Sequence, residues 1–368
     1  CGCSNPRWSR AGDQAVPGDA CHEVDGGNLP GGRDKTGNRI SGPGVTGKAL
    51  SSYNIKIKDS CTCSLRVHVT EQEEISMKQI KIGTCVPGPV AEEWLKGFVG
   101  KGFETFSLNF HMSLEGTDLD KLALSTEQIL AGIDSKITTL GYYCNPIQYP
   151  EHRKTLEKVI CTAEKFGATH VSTFAGAWEG KPVESAYEEF GKVFRELAEL
   201  AEEKGVKLGI ENCLMDGTWE HATCNIGFNP KAWEVMFEEV KNDNFGLEWE
   251  PTHQMVQLID PVTELRKWCK KIVHVHGKDA TIDWDAVRHG GISGAVPFVW
   301  HRMPGFGDTN WRDIISILRS NGYEDDICIE GYHDPVYRGE LEMTGQLHAL
   351  NYLKWCRGGE FTPTPWEK

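Results

Sequence analysis

Four residues of the kinds that bind metal ions occur in four successive β-rich runs of the chain. Each run supplies one of them near its carboxyl end: Glu211 in 207–213, Glu250 in 245–250, His276 in 271–279 and Glu330 in 326–334. If these runs are neighbouring parallel strands, the four side chains meet at one edge of a sheet. Three carboxylates and one imidazole suit a divalent cation, and the set lacks the thiolates of a structural zinc site. We expect Mn2+ first, with Mg2+, Co2+ and Zn2+ as alternatives.

The interpretation as a metal site depends on the four residues acting together. A single glutamate at a strand end is explained equally well as a surface residue or as half of an ion pair. Burying three carboxylates together without a cation would be very costly, so four such residues in register favour the metal.

The run "IVHVHGKDA" (272–280) carries a second histidine, His274, on the same face as His276, because strand side chains alternate. Glu248 precedes Glu250 by the same two residues. We expect Glu248 and His274 to hydrogen-bond each other beneath the metal ligands. The alternative is that each is satisfied separately in the core.

The elements that would position these residues alternate regularly from Met77 onward. Short β-rich runs are separated by amphipathic helical segments such as 184–205, and a closing helix is predicted over 340–356. This pattern predicts a (β/α)8 TIM barrel over 77–357, with a doubly wound open sheet as the alternative. The predicted strands are 80–86, 103–110, 136–143, 170–176, 207–213, 245–250, 271–279 and 326–334.

Residues 1–76 are expected to form an irregular segment outside the barrel, and 358–368 a C-terminal tail. "GPGVTGK" (42–48) is close to a phosphate-binding loop, but Ala49 stands where Ser or Thr should hold magnesium. Two C-x-C pairs lack the usual spacing of a zinc site. "EEIS" before Met77 suggests a start there, which would make 1–76 translated upstream sequence; a disordered natural extension is the equal alternative.

Composition narrows the function classes. The chain has 368 residues, 39% hydrophobic and 25% charged, which is ordinary for a globular protein. The net charge of −14 argues against a nucleic-acid partner, and no run is long and apolar enough for a membrane span. Most cysteines after residue 77 lie in apolar segments, which predicts a reducing, cytoplasmic location. A homo-oligomer is compatible with the sequence.

The chain resembles the xylose isomerase-like TIM-barrel family, which includes sugar isomerases, epimerases and metal-dependent apurinic endonucleases. The resemblance covers about 78–357 and rests on "GIEN", "EPTHQM", "HVHGKD", "RMPGFGDTNW" and "ICIEGYHDP". One departure is Glu250, where the family usually has Asp, so the metal could shift. Another is His333, near a usually acidic position.

The resemblance implies that Glu211, Glu250, His276 and Glu330 bind the cation and that Glu211 and Glu330 are the catalytic acid and base. It also implies that His253 and Arg302 contact substrate oxygens. Lys278 is expected to orient a substrate oxyanion, with an ion pair to Asp279 as the alternative. The connection 283–308 is expected to be a long loop that caps the site or contacts another subunit.

The expected function is isomerisation or epimerisation of a sugar-like ketose or polyol by proton transfer through an enediolate. The alternative is a lyase in the same site, of the keto-inositol dehydratase or keto-glycoside deglycosidase type. A phosphodiester hydrolase is disfavoured by the acidic charge. A non-catalytic sugar-binding barrel would not need two carboxylates able to act as bases.

Overall fold

The computed structural model describes residues 79–359 and Pro365. The predictions for 1–76, including a start at Met77, the C-x-C pairs and the phosphate-loop-like run, lie outside these residues, as does most of the tail. Among the residues described, no helix combines the length and the apolar character needed to cross a membrane. Eight cysteines in this part of the chain are free, and most of them are buried.

Ten strands form two sheets. The first seven strands belong to the barrel and follow one another in chain order. A separate pair of strands, β8 and β9, comes after the seventh, and the last strand, β10, closes the barrel. The strands are β1 (Lys81–Pro87), β2 (Thr105–His111), β3 (Lys136–Tyr143), β4 (His170–Thr173), β5 (Lys207–Glu211), β6 (Phe245–Trp249), β7 (Ile272–Gly277), β8 (Asp279–Ile282), β9 (Val299–Arg302) and β10 (Asp326–Ile329).

The barrel contains eight parallel strands in the order β1-β10-β7-β6-β5-β4-β3-β2. It closes where β1 pairs with β10, with Lys81 opposite Asp326 and Thr84 opposite Ile329. The predicted TIM barrel is therefore confirmed. The strands are nearly continuous runs of buried residues, as expected for a parallel sheet covered on both faces.

Helices surround the barrel and bury their apolar faces against its strands. Several begin where the sequence offers a side-chain cap, such as Asp118, Asn229, Asp260 and Asn310. They are α1 (Ala91–Phe98), α2 (Leu119–Leu130), α3 (Pro150–Thr162), α4 (Tyr187–Glu203), α5 (Pro230–Glu239), α6 (Thr252–Met255), α7 (Pro261–Trp268), α8 (Trp284–Gly290), α9 (Trp311–Ser320) and α10 (Glu342–Cys356).

Helix α4 shows why the sequence folds this way. Its predicted apolar stripe, which includes Phe190, Phe194 and Leu197, is buried in the core between helices and strands. The helix ends just before Gly205, whose φ of 68° is the left-handed conformation that favours glycine after a helix.

The connection 283–308, predicted as a long loop, contains regular structure. It contains α8 and β9, and β9 pairs antiparallel with β8 so that Asp279 lies opposite Arg302 and Ala280 opposite His301. Residues in this hairpin therefore alternate between two faces. This alternation decides which of its side chains lie near the site.

Candidate metal centre and active site

Four adjacent barrel strands carry the predicted metal ligands. Their order in the barrel is β5, β6, β7 and β10, which makes each a neighbour of the next. Glu211 is the last residue of β5, Glu250 follows β6, His276 lies in β7 and Glu330 follows β10. All four are buried, and one ligand atom from each lies within 4.8 Å of all the others. The structure thus brings the four residues together at the carboxyl end of the barrel.

His276 lies at the middle of this cluster. Its Nδ1 atom is 3.1 Å from Glu211 Oε1, 3.4 Å from Glu330 Oε2 and 3.7 Å from Glu250 Oε2. Glu250, where the family usually has Asp, therefore still reaches the same centre as the other carboxylates. It does so with a fully buried side chain.

Lys278 supplies a fixed positive charge beside the carboxylates. Its Nζ is 3.1 Å from Glu330 Oε2, to which it donates a hydrogen bond, and 3.6 Å from Glu250 Oε1. The alternative partner, Asp279, is instead engaged by backbone N–H groups, including those of Ala280 and Thr309. The Lys278–Asp279 ion pair is thus wrong, and Lys278 belongs to the cluster.

The surroundings shift the pKa values of the two proposed acid–base carboxyls in opposite directions. Burial raises the pKa of Glu211 to about 7, although His276 partly opposes this effect. Burial acts in the same direction on Glu330, but Lys278 and His276 outweigh it and lower the pKa of Glu330 to about 2. The pKa of Glu250 is also held well below its usual value, since His253 and Lys278 overcome the effect of burial.

The residues present fit a divalent cation. Neither oxygen of buried Glu250 makes a hydrogen bond among the described residues. His253 Nε2 lies 2.7 Å from Oε1, as an ion-pair contact. A buried carboxylate whose oxygens lack hydrogen bonds keeps lone pairs that can coordinate a cation. Three carboxylates and one imidazole are also a suitable donor set. The described residues contain two other clusters of possible ligands, one of Glu248, His274 and His276 and one of His274, Asp326 and Cys328. Both include His274, which already hydrogen-bonds Glu248.

The hydrogen bond predicted beneath the metal ligands is present. His274 Nδ1 lies 2.6 Å from Glu248 Oε1, and both side chains are completely buried. The pKa of His274 is raised to about 9, because Asp326 and Glu248 overcome the opposing effect of burial. The two histidines of β7 therefore have different partners. His276 faces the carboxylate cluster, and His274 is hydrogen-bonded to Glu248 below it.

The predicted substrate contacts divide into two groups. His253, in α6, lies beside Glu250 and so borders the cluster. Arg302 is held by Asp334, whose Oδ2 accepts a hydrogen bond from Arg302 Nε at 3.1 Å, and its guanidinium lies 5.8 Å from the centroid of the Phe306 ring. No described contact joins Arg302 to the four clustered residues, so its contact with substrate stays a prediction.

Sequence reasoning missed two residues of the site, and left the role of a third open. His301 precedes Arg302 in β9, and its ring centroid lies 5.7 Å from those of both His253 and His333. Burial and Lys278 lower the pKa of His301 to about 3, and Lys278 and burial lower that of His333 to about 4. Tyr143 at the end of β3 donates to Glu248 Oε2 at 2.9 Å. Recognising β9 as a strand would have placed His301 and Arg302 on opposite faces.

The arrangement combines groups that act on a hydroxyketone. Carboxylates can accept a proton from carbon, a cation can polarise a carbonyl, and neutral imidazoles can hydrogen-bond hydroxyl groups. Lys278 provides a positive charge close to a developing oxyanion.

Two sequence relatives of the chain are both named inosose dehydratase. The chain is 26% identical over 227 residues to the inosose dehydratase of Clostridium tetani, covering 59% of this chain and 72% of that protein. It is 24% identical over 318 residues to the inosose dehydratase of Clostridium beijerinckii, covering 76% of this chain and 98% of that protein.

Solved structures show the same fold. The apo 3-keto-D-glucoside 4-epimerase YcjR of E. coli is 15% identical with a TM-score of 0.56, covering 76% of this chain and all of that one. The IOLI protein, solved with a zinc atom, is 18% identical with a TM-score of 0.52, covering 75% and 96% of the two chains. The family model described as xylose isomerase-like TIM barrel matches residues 100–354, which is more than half of the chain. With its closed barrel, this chain therefore belongs to the xylose isomerase-like TIM barrel family.

Proposed function

We propose that this protein is a divalent-metal-dependent lyase that removes water from a keto-inositol, a cyclic ketone with hydroxyls on the neighbouring carbons. The observation that carries the proposal is the group of imidazoles, His253, His301 and His333, beside the carboxylate pair. Elimination needs a proton for the departing hydroxyl as well as a base for the C–H bond. The inosose dehydratases of two Clostridium species support this substrate class. A dehydratase therefore replaces the isomerase or epimerase as the leading interpretation.

The reaction would begin at the C–H bond next to the ketone. Glu330 or Glu211 accepts the proton, and the electron pair of that bond forms the enediolate. The C–O bond on the next carbon then breaks, and its hydroxyl leaves as water after gaining a proton. The remaining double bond carries a hydroxyl, so the product is the enol of a vicinal diketone.

The chain's own residues would bind and orient this substrate. His253 Nε2 is our candidate for protonating the departing hydroxyl, because it lies at the edge of the cluster beside Glu250. His301 and His333, whose pKa values are lowered, would stay neutral and hydrogen-bond substrate hydroxyls. Lys278 would stabilise the oxyanion of the enediolate.

A cation would be held by Glu211, Glu250, His276 and Glu330 and would supply Lewis-acid polarisation of the ketone. Mn2+ is our first choice, because it prefers oxygen and imidazole ligands, which this site supplies, over sulfur ligands. Mg2+, Co2+ and Zn2+ are the alternatives.

A ketose epimerase or isomerase is the second candidate. It is favoured by the placement of Glu211 and Glu330 on β5 and after β10, at the two flanks of the four-strand cluster. Two bases on different sides of a substrate are what epimerisation needs.

The test is to incubate the Mn2+-loaded protein with 2-keto-myo-inositol and, separately, with ketohexoses, and to follow product mass and solvent deuterium uptake. A dehydratase gives a product one water lighter from the keto-inositol. An epimerase or isomerase gives products of unchanged mass from a ketose. His253→Asn should slow water loss more than deuterium exchange next to the ketone. No lighter product from the keto-inositol would contradict the dehydratase proposal.

A further inference from the structure

His301 and Arg302 are neighbours in β9, but their surroundings differ. The ring centroid of His301 lies 5.7 Å from those of both His253 and His333. Arg302 instead donates a hydrogen bond from Nε to Asp334 Oδ2 at 3.1 Å. Because side chains alternate along a strand, these two residues belong to opposite faces of β9. His301 is therefore the residue of this pair that joins the imidazoles of the site.

The partner of Arg302, Asp334, lies in the turn after β10 and directly follows His333. Asp334 is buried, and its Oδ2 also accepts from the Met303 backbone N–H at 2.9 Å. Its Oδ1 accepts from the backbone N–H groups two and three residues later, at 2.8 and 2.9 Å. One carboxylate thus joins the end of β9 to the turn that carries His333.

An aromatic stack holds Arg302 from a second side. Its guanidinium lies 5.8 Å from the centroid of the Phe306 ring. Phe306 is itself stacked on Tyr337, at 4.0 Å and 14°, and on His348, at 4.0 Å and 23°. A guanidinium packs well on an aromatic face, so the carboxylate and the ring together fix the arginine.

The outer part of the hairpin adds little to the attachment of β9. β9 forms a two-stranded sheet with β8, helix α8 buries none of its residues within Trp284–Gly290, and residues 291–297 are exposed. β8 has an attachment of its own, since the Ile282 backbone N–H donates to Asp308 Oδ2 at 2.9 Å. Loss of the Arg302–Asp334 contact should therefore shift β9 without unfolding the hairpin.

We propose that Arg302 is a positioning residue and not a substrate contact: through Asp334 it holds β9 so that His301 lies beside His253 and His333. Its effect on turnover rests on the proposed function, in which these imidazoles bind the substrate. Without the Arg302–Asp334 contact, His301 moves toward solvent and the group of imidazoles loses one member. Arg302 thus acts on the substrate through His301.

The first test reads the position of His301 in metal-free protein without substrate. Burial and Lys278 lower its pKa to about 3, so its NMR signal, assigned by its loss in His301→Asn, should not titrate between about pH 5 and 8 in the native protein. In Arg302→Gln and in Asp334→Asn, the pKa should rise to within about one unit of the ordinary value of 6.5.

The second test measures kcat/KM for water loss from 2-keto-myo-inositol by the Mn2+-loaded protein. Arg302→Gln and Asp334→Asn should each lower it by about 10-fold, as for the loss of a charged hydrogen bond. The double variant should be no worse than either single variant, because both changes break the same contact. Arg288→Gln is the matched control, since this arginine forms an exposed pair with Asp285 on the same hairpin, and it should leave both readouts unchanged.

A substrate contact would give a different pattern. Arg302→Gln would then lower kcat/KM while the His301 signal stays native, and the losses from Arg302→Gln and Asp334→Asn would add; either result would overturn the positioning role. If the native protein releases no water from the keto-inositol, the proposed function fails. The titration of His301 then decides the role of Arg302 alone.

Discussion

Two charged clusters lie at opposite ends of the barrel, and they are built differently. At the amino end, Glu104 precedes β2 and pairs with Arg357, which follows α10. Glu104 accepts from Arg357 Nη1 at 2.6 Å, from Nη2 at 3.1 Å and from the Ile82 backbone N–H at 2.7 Å. Arg357 Nη1 also donates to Ile80 O at 2.8 Å. Lys354 Nζ lies 3.9 Å from Glu104 Oε1 as a second, looser partner, so the negative charge of Glu104 is fully compensated by hydrogen-bonded or nearby cations.

The cluster at the carboxyl end has no such balance. Lys278 is the one lysine or arginine with a described ion pair to these carboxylates, and both Glu250 oxygens lack hydrogen bonds among the described residues. Its carboxylates are Glu211, Glu250 and Glu330, whereas Glu248 below them is paired with His274.

The two clusters differ in role: charges that are matched stabilise the fold, whereas an excess of one charge is suited to binding a ligand. A compensated pair, with Arg357 buried and Glu104 half-buried, holds β1, β2 and the end of α10 together. An excess of buried carboxylates stays unfavourable until a cation or a substrate arrives. Each region can therefore be tested by removing one carboxylate from it.

The largest expected effect is on turnover. Glu330→Gln keeps the size of the side chain but removes the base, so turnover should fall by about 10²- to 10⁴-fold, and Glu211→Gln should behave similarly. Turnover and metal occupancy should be measured together, with Glu239→Gln at an exposed ion pair as the control. Native turnover in both metal-loaded variants would contradict the assignment.

The matched pair should respond in the opposite way. Glu104→Gln leaves the guanidinium of Arg357 buried without its counter-charge, so the free energy of unfolding should fall by about 3 kcal/mol. Turnover per folded molecule should not change. The control is Glu239→Gln, which breaks an exposed pair with Arg195 and should cost less than about 1 kcal/mol. Denaturant unfolding measures both, and equal costs would show that the buried pair has no special structural role.

The two clusters also differ in how well sequence predicts them. Glu211, Glu250, His276 and Glu330 could be identified because each lies near the end of a strand, and the fold brings such ends together. The strand limits differed from the structure by a few residues, but these four positions were unaffected. The Glu104–Arg357 pair joins residues that are 253 apart in sequence, outside any strand or helix, and has no comparable local signal.

The hairpin shows a further limit of sequence reasoning. Arg302 was predicted in the site from a motif, whereas the structure places His301 among the site imidazoles and Arg302 against Asp334. Neighbouring residues in a strand point to opposite faces, so the choice depends on recognising β9. β9 has only four residues and follows a Gly-rich stretch, so the sequence pattern predicts a loop there. Tyr143 was inside a predicted strand, but a single aromatic residue gives no indication that its hydroxyl meets a carboxylate.

Removing the metal should lower stability by less than removing the matched charge. A cation that binds only the folded protein stabilises it by about 2.7 kcal/mol at 100 times its dissociation constant. Chelation should therefore lower the melting temperature, and Mn2+ should restore it. Glu104→Gln should show the same gain on adding Mn2+ as the native protein, whereas Glu330→Gln should show a smaller one. An identical melting temperature with and without Mn2+ would argue against the centre.

The smallest expected effect concerns a second matched group at the amino end of the barrel. Asp325 Oδ2 accepts from Lys207 Nζ at 2.7 Å and lies 3.5 Å from His170 Nε2. Burial alone would raise its pKa, but His170 and Lys207 outweigh burial and lower the pKa from 3.8 to about 2. Because the folded-state pKa is the lower one, the ionised carboxylate stabilises the native state above pH 3.8. That contribution is lost as the pH falls toward about 2.

This contribution should amount to at most about 2 kcal/mol. It is measured as the difference in unfolding free energy between the native protein and Asp325→Asn, from pH 5 down to pH 2, with chelator present so that metal release does not contribute. The difference should shrink as the pH falls. Asp285→Asn, in an exposed pair with Arg288, is the control and should give a flat difference. If the Asp325→Asn difference is equally flat, then Asp325 is not a matched charge like Glu104, and the contrast between the two ends of the barrel rests on the Glu104–Arg357 pair alone.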